Sequence, residues 1–174
     1  MRLLILALVA AAFAVPVHAS EIENVRTLDI SVRGSIRQHC AMGGVPDMDF
    51  GNLERRGLGF ETRVAFDCNV PFTMMIKGAH GALTHTKMPN GQGPYGGALP
   101  YSLAVKMPVR HPATQTVSRS FNSRQIQAGG VISSNGGIAT DGMVLAVELG
   151  MPSGEAGLLA GDYAETITIS VTPI

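Results

Sequence analysis

Thr27-Leu28-Asp29-Ile30-Ser31-Val32-Arg33-Gly34-Ser35-Ile36 alternates apolar and polar residues with a period of two. In an extended chain Leu28, Ile30, Val32 and Ile36 fall on one side, with Gly34 in the same row, and Asp29, Ser31, Arg33 and Ser35 fall on the other. The pattern predicts a half-buried strand with a single apolar row. No hairpin partner follows it, because the chain runs through Cys40 into a Gly- and Pro-rich loop at Met42 to Pro46. The sheet that this strand completes is therefore expected elsewhere, in the rest of its own fold or in another copy of the molecule.

Upstream, Arg2, the apolar run Leu3 to Val15, Pro16 and the small-residue exit Val17-His18-Ala19 read as a secretory signal, residues 1–19. The run is too short to span a bilayer. Cleavage after Ala19 would leave Ser20 first and a single-domain length behind it. Thirteen Lys and Arg balance thirteen Asp and Glu with no basic run, so nucleic acid and anionic membrane surfaces are poor partners for this chain. Trp is absent and 21 residues are Gly, which favours a turn-rich β protein over a helical bundle.

Cys40 and Cys68 are the only cysteines. In an exported protein their default fate is a disulfide, worth about 3.6 kcal/mol on the chain-entropy model for a loop of this size. A redox pair would more often show Cys-x-x-Cys spacing, which is missing.

Along the chain, Val45 to Asn52 is a short extended piece ended by Gly51 and Asn52. Glu61 to Asn69 alternates, with Val64, Phe66 and Cys68 on one face. Phe72, Met74 and Ile76 form the inward row of the next strand. Lys77 to Ala98, rich in Gly, Asn, Pro and His, reads as a long surface loop. Tyr101, Leu103 and Val105 restore alternation after Pro100, and a weaker strand lies around Gln115 to Ser120. Asn135-Gly136 and Asp141-Gly142 are turn signals, the second just before a strand from Met143 to Leu149. The chain closes with a strand from Glu165 to Thr172, in which Ile167, Ile169 and Val171 alternate with Thr and Ser. No dozen-residue window has helical periodicity. The expected class is all-β, an immunoglobulin-like β-sandwich.

Gly34 to Cys40, Asp49-Phe50-Gly51, Val64-Ala65-Phe66-Asp67-Cys68, Leu99-Pro100-Tyr101-Ser102-Leu103 and Ala160-Gly161-Asp162-Tyr163-Ala164-Glu165-Thr166-Ile167-Thr168-Ile169-Ser170-Val171 together resemble the spore coat protein U domain. That family includes the secreted pilin subunits of archaic, Csu-type chaperone-usher systems. The likeness covers nearly the whole chain after the signal, although Lys77 to Ala98 lacks the family's aromatic landmarks and no Trp follows Val105. It implies a sandwich missing its last strand, with an apolar groove filled first by a periplasmic chaperone. The amino-terminal strand of the next subunit then replaces the chaperone at the outer-membrane usher.

On this likeness, residues 20–36 are the donor segment and 37–174 the pilin-like domain. Leu28, Ile30, Val32 and Ile36 match groove-filling positions, and Gly34 matches the point of close backbone approach. Burying the four aliphatic chains would contribute on the order of 6–12 kcal/mol before ordering costs. Ile167, Ile169 and Val171 are expected to form the strand that a chaperone grips. The expected partners are a chaperone, an usher and other pilin subunits, and the expected destination is the cell surface or medium by way of the periplasm. The plainer alternative makes 27–36 the first strand of the protein's own fold, in a self-complemented binding module such as an adhesin or surface-coat protein.

Other constellations carry less. Gly91-Gln92-Gly93-Pro94-Tyr95-Gly96 spells a dinucleotide fingerprint, but Pro94, Gly97 and Pro100 forbid the helix that would hold a pyrophosphate. His80 and His85 share one loop without a third ligand at a suitable spacing. Asp47 and Asp49 read as turn formers. No nucleophile-elbow or metalloprotease motif occurs, so no catalytic residue, metal ligand or cofactor is assigned, and an enzyme is disfavoured.

Overall fold

The computed structural model describes residues 27–152 and 154–174; the signal reading of 1–19 and the first part of the donor segment lie outside them. Twelve strands and one short helix make up the described chain. They are β1 (Cys40–Met42), β2 (Gly59–Val64), β3 (Phe66–Cys68), β4 (Phe72–Gly78), β5 (Leu83–His85), β6 (Ala98–Leu99), β7 (Tyr101–His111), β8 (Ala113–Asn122), α1 (Ser123–Ala128), β9 (Gly130–Ser133), β10 (Met143–Leu149), β11 (Tyr163–Ala164) and β12 (Ile167–Pro173). The protein is all-β, and every strand pair is antiparallel.

Two sheets carry the core. One has the order β2-β10-β7-β8 and the other β12-β4-β9. Most of the period-two rows predicted downstream of Cys40 face inward, with Phe66 and Cys68 carried by β3 beside these sheets. Val64, Phe66, Cys68, Phe72, Met74, Ile76, Tyr101, Leu103, Val105, Met143, Leu145 and Val147 are all buried in one cluster. Phe66 meets Phe72 edge-on at 5.0 Å between ring centroids, a favoured aromatic geometry. Two small sheets, β1-β3 and β11-β5-β6, complete the ladders. Among the described residues no helix is long and apolar enough to cross a membrane.

Several expectations change in detail. The strand read through 61–69 is broken at Ala65 into β2 and β3. Lys77 to Ala98 is not wholly loop: β5 and β6 pair there, and β5 also pairs with β11. The strand after Pro100 runs on to His111. It tolerates Pro108 because the β7–β10 ladder ends at the pair Lys106 and Val144, so the missing N–H breaks no bond to that neighbour. The helix α1 was not expected. Asn122 caps it in a reciprocal capping box with Gln125, and Ile126 is buried against the core.

Thr27 to His39 forms no strand or helix. Leu28, Ile30, Val32 and Ile36 are 84, 75, 90 and 90 % exposed. Large apolar chains in a period-two row are rarely left so open when they belong to their own core. The unit beginning at Ile36 contains every strand.

Candidate functional site

One outer edge of the core sheets is β12. Its one ladder is to β4, with Ile167 opposite Gly78, Ile169 opposite Ile76 and Val171 opposite Met74. Among the described residues its other edge is unpaired. A bare strand edge presents a row of free N–H and C=O groups, which natural proteins normally cover or blunt. Here the edge is neither short nor charged. Ile167, Ile169 and Val171 alternate with Thr168, Ser170 and Thr172, and the three aliphatic chains are only half-buried against the core.

A cleft of about 730 Å³ opens at the Ile167 end of this edge. One wall is the loop Val45 to Glu54, and the other is Leu158 to Ile167. Phe60, Val147 and Leu149 line its floor. Phe50 leans on Phe60 at 5.7 Å between ring centroids. Asp49 serves as a turn former, its Oδ1 accepting from the Gly51 N–H at 2.8 Å, which suits the left-handed backbone of Gly51. Asp47 lines the same wall.

The far wall is held rigidly. The His85 ring accepts the Lys87 and Met88 N–H groups on Nδ1, at 3.1 Å each, and Nε2–H donates to the Ala160 carbonyl at 3.1 Å. Both ring nitrogens are used, which fixes the tautomer. Tyr163 stacks edge-on against this ring and donates its hydroxyl to the Leu159 carbonyl at 2.7 Å.

Two polar groups sit at the inner end of the cleft. The Glu165 side chain is 5 % exposed and accepts the His80 N–H on both oxygens at 3.1 Å. Tyr101 is buried and its hydroxyl has no partner among the described residues. Burial first, and the Glu165 carboxylate second, push the Tyr101 phenol far above its ordinary range. Gly78 separates the pair: a Cβ there would meet the Tyr101 hydroxyl at 2.9 Å and a Glu165 oxygen at 3.1 Å.

Cys40 and Cys68 are disulfide-bonded, joining β1 to β3 at an aligned pair. His80 and His85 do not converge: His80 faces Glu165, and His85 is spent on Ala160 and the backbone. Among the described residues no group of three or more His, Cys, Asp or Glu is placed to hold a metal ion. Sequence reading missed Phe50, Phe60, Leu149 and Glu165 as lining groups. Phe60 and Leu149 stand at strand ends, where alternation alone does not say which rim residue borders an opening.

No family model, curated protein or solved structure matches this chain.

Proposed function

We propose that the chain is the structural subunit of a surface fibre, exported by residues 1–19 and polymerised by donor-strand exchange, with an immunoglobulin-like body that lacks its last strand. One observation carries this reading. The bare edge of β12 offers a half-buried aliphatic row, and Leu28 to Ile36 offers an exposed aliphatic row of the same period. Strand addition supplies main-chain hydrogen bonds from the edge and side-chain selectivity from alternate pockets. Leu28, Ile30, Val32 and Ile36 fill the groove, and Gly34 admits close approach. A chaperone covers Ile167, Ile169 and Val171 until an usher hands the subunit to the fibre, which serves attachment or biofilm.

The position of the arm's root supports insertion into a second copy over self-completion. Arg37 to His39 is held at Asn69, and Ile174, just past the end of β12, donates to the Pro71 carbonyl at 2.9 Å. Residues 36 to 28, folded back from that point along β12, would run from its carboxy end toward its amino end. Continued directly from that root, the protein's own arm would add in parallel, the slightly weaker pairing, whereas an arm from a second copy can enter antiparallel.

A synthetic peptide of residues 27–36, added in excess to the purified full chain, tests the reading. It is expected to protect the β12 amides from hydrogen exchange and to stop growth of heat-resistant multimers. Unchanged protection at β12 together with unchanged multimer growth would overturn it.

A further inference from the structure

We propose that Asn69 is the positioning residue of the amino-terminal arm: its side-chain amide stands in for one missing unit of strand and fixes where the arm leaves the body. The inference rests on the fibre-subunit reading for its consequence, and on local geometry for its mechanism.

The β1–β3 ladder aligns Cys40 with Cys68 and Ala41 with Asp67. Continued outward, it would set His39 against Asn69 and Arg37 against Pro71. The first of these begins normally, with the Asn69 N–H donating to the His39 carbonyl at 3.1 Å. The second cannot form, because Pro71 has no N–H to give to the Arg37 carbonyl. Asn69 supplies what is missing. Its Nδ2 donates to the Arg37 carbonyl at 2.9 Å, and its Oδ1 accepts the His39 N–H at 2.9 Å.

In an extended chain the C=O of one residue and the N–H of the residue two further on point the same way, so a carboxamide with one donor and one acceptor fits both at once. Asp cannot donate, and Ser cannot bridge the pair. His39 adds a second hold, with Nε2 at 2.6 Å from Asp67 Oδ1, and the Cys40–Cys68 bridge lies one residue on. Ile174 takes the Pro71 carbonyl, so no room is left on that edge for a longer ladder.

The arm therefore starts at Ile36, with a pinned root and a fixed register. All ten residues from Thr27 to Ile36 remain available to a neighbour, a reach of about 33 Å when extended. Freeing Arg37 to His39 would add slack and let the arm point anywhere, which lowers the fraction of encounters with the correct orientation.

The variants Asn69→Ala and Asn69→Asp, each in the full chain, test this. Three quantities are measured: hydrogen exchange of the His39 amide, the rate at which the chain accepts a peptide of residues 27–36, and the rate at which a fluorescent subunit joins wild-type multimers. In Asn69→Ala, His39 protection is expected to vanish, peptide acceptance to stay at the wild-type rate, and joining to slow by on the order of threefold or more. Asn69→Asp should keep His39 protection, because the acceptor survives, yet still join slowly. Joining at the wild-type rate in Asn69→Ala overturns the proposal, and so does an equal loss of peptide acceptance, which marks Asn69 as merely structural. Wild-type subunits that neither join nor accept the peptide defeat the fibre reading instead; retained His39 protection in Asn69→Ala would defeat the clasp by itself.

Discussion

Ile169 stands directly opposite Ile76 in the β4–β12 ladder, yet Ile76 is fully buried and Ile169 is half open. The difference arises because, among the described residues, β4 has neighbours on both sides and β12 has one. Replacing Ile169 with Asp therefore affects two states unequally. In the free body the carboxylate can turn toward water at the bare edge, so the expected cost is about 1–2 kcal/mol of lost aliphatic burial. Under an added strand the charge would be enclosed without a partner, which costs several kcal/mol. Urea melts should show the small loss, and binding of the 27–36 peptide should fall more than tenfold. A variant that binds the peptide normally would show that Ile169 does not border the groove.

The pairing of Cys40 with Cys68 holds β1 to the body through a strand of three residues. Opening this bridge releases a 28-residue separation in sequence, for which the chain-entropy model gives about 3.6 kcal/mol. Cys40→Ser combined with Cys68→Ser should lower unfolding stability by about 2–4 kcal/mol, and excess reductant should do the same to the wild type. Equal denaturation midpoints with and without reductant would mean that the bridge carries none of the fold's stability.

Tyr101 buries a hydroxyl that has no partner among the described residues, so removing that hydroxyl should cost nothing or give a small gain. Tyr101→Phe is expected to melt at or above the wild-type temperature, by up to about 1 kcal/mol. The pH dependence has a definite sign. Burial raises the Tyr101 phenol above its unfolded value, and it raises Tyr163 as well. A raised phenol contributes stability that is complete below about pH 10 and is lost as pH rises, because the unfolded chain ionises first. Wild-type stability should therefore fall as pH rises above about 10, and Tyr101→Phe should fall less steeply. Parallel pH curves for the two proteins would remove Tyr101 as the cause.

The inward rows were legible because burial on one face imposes a period of two. Phe72, Met74 and Ile76, and Tyr101, Leu103 and Val105, could be assigned from sequence alone and lie in the core. The β5–β6 pairing was not legible. Strands of two or three residues between Gly-rich turns offer no period to count, and their partner β11 lies some eighty residues away in sequence. The helix α1 spans less than two turns, too short for a periodic signal, but Asn122 followed by Gln125 is a capping pattern that could have marked it. Of the site, the row Ile167, Ile169 and Val171 was readable, whereas the bareness of its edge is a property of strand order. Asn69 gave no sign at all, because its role depends on what Pro71 cannot donate.

Ile30 decides between the two uses of the opening stretch. Its side chain is 75 % exposed and the segment around it forms no ladder, so Ile30→Arg is expected to leave the packing of the body's own core intact. The melting temperature and the disulfide are expected to stay as in the wild type. A groove that accepts Leu28, Ile30, Val32 and Ile36 would have to bury a guanidinium in an aliphatic pocket, at a cost of several kcal/mol, more than one aliphatic anchor supplies. Multimers should then fail to grow from Ile30→Arg subunits alone. The same subunits should still accept the wild-type 27–36 peptide, because their own β12 edge is intact. Together these outcomes separate a donor defect from a folding defect. A fall in melting temperature of many degrees would instead place Ile30 in the protein's own core, and wild-type multimers from the variant would mean that the arm does not fill the groove.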